Sequence, residues 1–91
     1  MNDLFTGPVV ARVYATTYGT YNRGSYAGKW FDLEEYTDRD AFLTAAKKYV
    51  VGTLNDYDPE LMFLDFEGYP SEWYSEGSAP PPELWDWMEL S

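Results

Sequence analysis

Nearly every side chain in this sequence that could do chemistry is a carboxylate. Sixteen Asp and Glu stand against six Lys and Arg, and His and Cys are absent. That absence excludes disulfides, thiolate nucleophiles, Cys/His zinc sites and imidazole bases. Acid–base work by paired carboxylates, an oxygen-ligand metal site, or electrostatics remain. Asp65 and Glu67 are two residues apart, and on a strand they share one face roughly 6–7 Å from each other, a pairing glycosidases can use. Alternating acids more often mark a solvated sheet face, and no Ser–His pair, phosphate loop or glycine fingerprint accompanies them. The expectation is a non-enzyme with no cofactor. Asp56, Asp58 and Glu60 fall at positions 1, 3 and 5 of a calcium loop, with Glu67 at position 12. The turn at position 6 needs Gly and finds Leu61, and Pro59 adds a conflict, so no metal is expected.

The acids are distributed unevenly. Residues 1–48 hold six acids and all six bases; residues 49–91 hold ten acids and no base, which is the whole net charge of −10. Such a field repels nucleic acid and anionic membranes and attracts basic surfaces. A surface built only for solubility usually mixes both signs. Duplex DNA carries one charge per roughly 1.7 Å of axis, so ten charges equal about 17 Å, or about five base pairs. The residues expected to stand in for phosphates are Asp56, Asp58, Glu60, Asp65, Glu67, Glu72 and Glu76, extended by Glu83, Asp86 and Glu89. Trp85 and Trp87 follow three prolines, where an aromatic anchor for a partner and packing back on the domain are equally open, and Trp85 is the candidate anchor.

Ninety-one residues, 45% of them apolar and 20% aromatic, are enough for one small core. Residues 9–18 and 26–33 are β-branched and aromatic and read as antiparallel strands, with Val9, Ala11, Val13, Ala15 and Thr17 on one face. Tyr21-Asn22-Arg23-Gly24 between them reads as an exposed, structured lobe. Residues 37–51 read as a helix with Thr37 as N-cap, Asp40 as its capping-box partner and Gly52 at C′. Lys47 and Lys48 fall near its C-terminal dipole, and Phe42, Ala46, Tyr49, Val50 and Thr53 form its apolar stripe. Residues 61–69 read as a third strand, with Met62, Leu64 and Phe66 on one face and Phe63, Asp65 and Glu67 on the other. The expected fold is α+β, a small three-stranded antiparallel sheet with one packed helix (ββαβ). It occupies residues 1–70, and residues 71–91 are a Pro-rich linker and a short acidic, Trp-containing helix or tail, with Leu84, Trp87 and Met88 on one side. The N-terminus lacks a basic signal-peptide region and no apolar run approaches membrane length, so a cytoplasmic protein is expected, and a monomer is favoured.

Val13-Tyr14, Tyr21-Asn22-Arg23-Gly24, Gly28-Lys29-Trp30-Phe31-Asp32 and Phe63-Leu64-Asp65-Phe66-Glu67-Gly68-Tyr69 resemble the opening domain of the ArdA antirestriction proteins. Order and spacing match from Val9 to Tyr69. The resemblance implies a phage or mobile-element protein of three strands and a helix that mimics bent B-form DNA. It would occupy the DNA site of Type I restriction–modification enzymes in the bacterial host. Family members continue through two further acidic domains, and residues 83–90 are where the second would begin. A mimic with about five base pairs of charge also suits a shorter target, such as the PAM-reading cleft of a CRISPR effector. A carbohydrate- or protein-binding module that uses exposed aromatics is the reading from a different class.

Overall fold

The computed structural model describes residues 11–55 and 60–90. Strand β1 (Arg12–Thr17) runs directly into a short helix, α1 (Tyr18–Asn22). Strand β2 (Lys29–Asp32) ends in a 3-10 turn at Leu33–Glu35, and α2 (Arg39–Gly52) leads back to strand β3 (Leu61–Glu67). A second 3-10 turn (Ser71–Trp73) and α3 (Glu83–Glu89) complete the order. The sheet has three strands in the order β2-β1-β3, with both pairs antiparallel. The ββαβ α+β architecture expected from the sequence is the one observed.

Apolar alternation places Ala11, Val13 and Ala15 on the covered face of β1, all fully buried. They meet Phe31 and Leu33 from the β2 side, Phe63 from β3, and Phe42 and Ala46 from α2. Phe42 is central. Its ring lies 5.6 Å from Phe31, 5.9 Å from Tyr36, 6.2 Å from Phe63 and 6.2 Å from Trp85. Edge-on and tilted aromatic contacts of this kind contribute about 0.5–1.5 kcal/mol each beyond burial.

Several local expectations are corrected. β1 stops at Thr17, because the Thr17 hydroxyl accepts the Thr20 N–H at 3.0 Å and opens α1. The 21–24 lobe is exposed and structured as expected, as the end of α1 and a turn closed by Gly24 at φ +84°. β2 is shorter than expected, since Gly28 passes under Tyr14. A Cβ there would lie 2.5 Å from the Ala15 carbonyl oxygen and 2.8 Å from the Tyr14 ring. The N-cap of α2 is Asp38 rather than Thr37, with its Oδ1 accepting the Ala41 N–H at 2.8 Å. Gly52 is the last helical residue rather than C′, Thr53 is exposed, and Lys47 and Lys48 precede the last turn.

The largest correction concerns β3. Tyr14 pairs with Asp65 but Ala15 pairs with Phe63, leaving Leu64 as the extra residue of a bulge. A bulge reverses the in–out phase of a strand. Phe63 therefore joins Phe66 on the helix-covered side, while Asp65 and Glu67 point to the open face beside Tyr14 and Arg12.

Residues 71–90 pack onto this body. The Glu76 carbonyl accepts the Phe63 N–H at 2.8 Å, and the Tyr74 hydroxyl donates to the Phe63 carbonyl, so the outer edge of β3 is covered. Arg39 Nε donates to the Pro80 carbonyl at 2.9 Å. Leu84 and Trp85 are buried in the same core cluster as the sheet and α2.

Candidate functional site

Eight of the ten expected phosphate surrogates lie among the described residues; Asp56 and Asp58 lie outside them. Glu60, Asp65, Glu67, Glu72, Glu76, Glu83, Asp86 and Glu89 are all exposed. Position in the fold explains this. Asp65 and Glu67 take the open face of β3, Glu72 is on a surface 3-10 turn, and Glu76 is on the segment along the β3 edge. Glu83, Asp86 and Glu89 recur every third residue of α3, whose buried side is Leu84 and Trp85. At 1.5 Å of rise per residue they are about 4.5 Å apart along the helix axis.

Only Glu67 of these eight is in an ion pair among the described residues. Arg12 bridges it at 3.0 Å and reaches Asp32 across β1 at 3.1 Å, so one cation is held between two strands' carboxylates. The Arg12 guanidinium also lies 4.7 Å over the Trp30 ring. Asp65 Oδ1 accepts the Phe66 N–H at 2.7 Å, a local bond at the bulge. The Asp65–Glu67 pair is thus a backbone-bonded carboxylate beside an ion-paired one on an open sheet face. Among the described residues, no group of three or more metal-ligating side chains comes together, and no helix is long and apolar enough to cross a membrane.

Trp85 is placed otherwise than expected. It is 6% exposed, and its indole Nε1–H donates to the carbonyls of Leu33 at 3.2 Å and Tyr36 at 3.1 Å. Its ring holds α3 against the first 3-10 turn, so it serves the fold and is not an outward anchor. Trp87 is half-buried, edge-on to Trp73 at 5.8 Å. Among the described residues the exposed aromatics are Tyr21 and Tyr26, which pack edge-on against each other at 5.7 Å.

Sequence reasoning missed Glu34 and Glu35. They belong to the charge-balanced half, but the 3-10 turn at Leu33–Glu35 packs against α3 and brings them to Glu89. The three glutamates border an open groove of about 320 Å³ whose other lining includes Tyr36, Trp85 and Met88. The Tyr36 hydroxyl is pushed above its ordinary pKa, first by burial and then by the negative charges of Glu35 and Asp32. The signal available in sequence was the run Asp32-Leu33-Glu34-Glu35, two of whose acids now add to the field of the C-terminal half.

Fold and surface together define a small acidic α+β protein whose described carboxylates between residues 60 and 90 are all displayed outward. The family model for the antirestriction protein ArdA matches residues 13–85. The chain belongs to the ArdA antirestriction family. The match runs beyond Tyr69 through the triple proline to Trp85, which is the stretch that packs against the sheet here. Searches of curated proteins and of solved structures return no match.

Proposed function

We propose that this chain inhibits a DNA-targeting defence complex of its bacterial host by offering an acidic, DNA-like surface to that complex's basic DNA-binding site. The target proposed is a Type I restriction–modification enzyme, the site of action the host cytoplasm, and the mode binding rather than catalysis. One observation carries the reading. All eight described carboxylates between residues 60 and 90 are exposed, and seven of them have no ion-pair partner among the described residues. A chain stretch that carries this many exposed acids without cations to balance them raises its own electrostatic energy, which a basic partner surface would lower. The phosphate surrogates are Glu60, Asp65, Glu67, Glu72, Glu76, Glu83, Asp86 and Glu89, with Asp56 and Asp58 as further candidates. Family membership supports the antirestriction role. A CRISPR effector reading a short duplex is the second target, favoured by a net charge of −10 that matches only about five base pairs.

The test is protection of unmodified DNA from cleavage by a purified Type I enzyme, run in parallel with a PAM-dependent effector. The wild-type chain is compared with a variant carrying Glu72→Lys, Glu76→Lys, Glu83→Lys, Asp86→Lys and Glu89→Lys. Inhibition should be lost in the variant while its circular dichroism is unchanged, and wild-type inhibition should weaken with salt and with competing duplex. A folded variant that still inhibits would overturn the electrostatic reading.

A further inference from the structure

The distributed field leaves one feature unused, the groove between the first 3-10 turn and α3. Its apolar floor is Tyr36 and Met88, both half-buried, with the buried Trp85 beneath. Its rim is Glu34, Glu35 and Glu89, all exposed and none in an ion pair among the described residues. The lining contains no base that could neutralise them. An anion is repelled here. A wholly apolar ligand would have to strip water from three carboxylates and give nothing back. The chemistry that fits is a cation carried on an apolar stem.

We propose that this groove receives one arginine side chain of a partner protein. A guanidinium is planar, weakly hydrated and bonds carboxylates at its edge, while its faces and methylene stem favour aromatic and thioether surface. A lysine ammonium is a compact, strongly hydrated charge that gains less from such a floor. At about 320 Å³ the groove is at the small end of ligand sites, with room for one long side chain. Its carboxylates come from two separate elements that pack together, Leu33–Glu35 and α3, and all three line the same groove. The proposal deepens the functional reading above and rests on it for the nature of the partner, a basic DNA-binding surface. Recognition of arginine itself rests on the groove.

The probe is a blocked Gly-Arg-Gly peptide titrated into the isotope-labelled full chain. Gly-Lys-Gly and Gly-citrulline-Gly serve as comparisons, citrulline being a neutral isostere. The Trp85 indole N–H, fixed to Leu33 and Tyr36, is a nuclear magnetic resonance reporter beneath the floor. The arginine peptide should shift this signal and the amides of Glu35, Tyr36 and Glu89 saturably at millimolar concentration. The lysine peptide should do so more weakly and the citrulline peptide not at all. Combined Glu34→Gln, Glu35→Gln and Glu89→Gln should weaken binding about tenfold or more, while Glu72→Gln with Glu76→Gln should leave it unchanged. An equal response to citrulline, a non-saturating shift spread over every exposed carboxylate, or unchanged affinity in the triple variant would overturn the groove. Saturable arginine binding in a chain that inhibits no defence complex would support the groove and sink the functional reading. Inhibition without peptide binding would do the reverse.

Discussion

Replacing Trp85 with alanine removes a ring that is 6% exposed, 6.2 Å from Phe42, and bonded through its indole N–H to two carbonyls at 3.1–3.2 Å. An indole buries about 200 Å², which at about 25 cal/mol per Å² is an upper figure of about 5 kcal/mol. Measured core truncations of this kind cost about 3–5 kcal/mol. The Leu33 and Tyr36 carbonyls lose a shared donor, which adds on the order of 1 kcal/mol. The expected loss is therefore about 4 kcal/mol. A chain this size has a total stability of about 5–14 kcal/mol, so at least a quarter of it, and up to most of it, rests on this one residue. Urea unfolding followed by far-ultraviolet circular dichroism reads the effect without relying on tryptophan fluorescence. With a slope of about 1 kcal/mol per molar, the midpoint should fall by about 4 M, and an unstable variant should show no folded baseline. A loss below about 1 kcal/mol would refute the reasoning. It would mean that residues 71–90 lie on the sheet without holding it and are separable from residues 1–70.

Four further outcomes are expected. Tyr69 is 8% exposed and its hydroxyl has no hydrogen-bond partner among the described residues, so Tyr69→Phe should be neutral or stabilising by about 1 kcal/mol, a rise in melting temperature of several degrees. Burial is the first cause that raises the pKa of Tyr36, Tyr49, Tyr69 and Tyr74 above 10.0. The folded chain thus keeps protons that the unfolded chain releases above that pH, so stability should be level below it and fall as pH rises through it. Tyr69, the most buried, contributes up to about 1.4 kcal/mol per pH unit, and urea midpoints that stay level to about pH 11 would contradict this. Gly28→Ala should destabilise by about 1–3 kcal/mol, since its Cβ would meet backbone 2.5 Å away, and a neutral thermal shift would contradict the close approach. Asp38→Ala should cost about 0.5–2 kcal/mol as a lost N-cap and Thr37→Ala close to nothing; equal costs would assign the cap wrongly.

The regular parts of the fold were legible because their signals are local. The alternation at Ala11, Val13 and Ala15 and the helical spacing of Phe42, Ala46 and Val50 each point to one buried face, and that face is buried. The β3 bulge was not legible. Alternation in Met62-Phe63-Leu64-Asp65-Phe66 is satisfied by either phase, and only pairing with β1 shows that Leu64 is the extra residue. The cap of α2 was misread because Thr37 and Asp38 are both good caps, and the choice rests on which residue stays extended before Arg39. At the candidate site, exposure of the acids followed from their chemistry. The groove did not, because it joins residues 34–37 to residues 85–89 through a tertiary contact that leaves no pattern along the chain. Trp85 misled for the same reason: a tryptophan after three prolines looks free until its core partners, far away in sequence, are known.

The stretch that carries Glu76 and Tyr74 closes the outer edge of β3 through the amide and carbonyl of Phe63, and the same stretch leads to Leu84 and Trp85. Sheet protection and core completion are therefore mechanically coupled. If this segment detaches, the molecule exposes an unpaired β3 edge and an apolar socket together, which is the template for intermolecular strand addition. What restrains such an intermediate from clumping is mutual repulsion at a net charge of −10. That repulsion fades within a Debye length of about 8 Å at physiological salt and about 3 Å at 1 M. Storage and purification of the chain thus have an ionic-strength ceiling, set by its partly opened form rather than by the native surface.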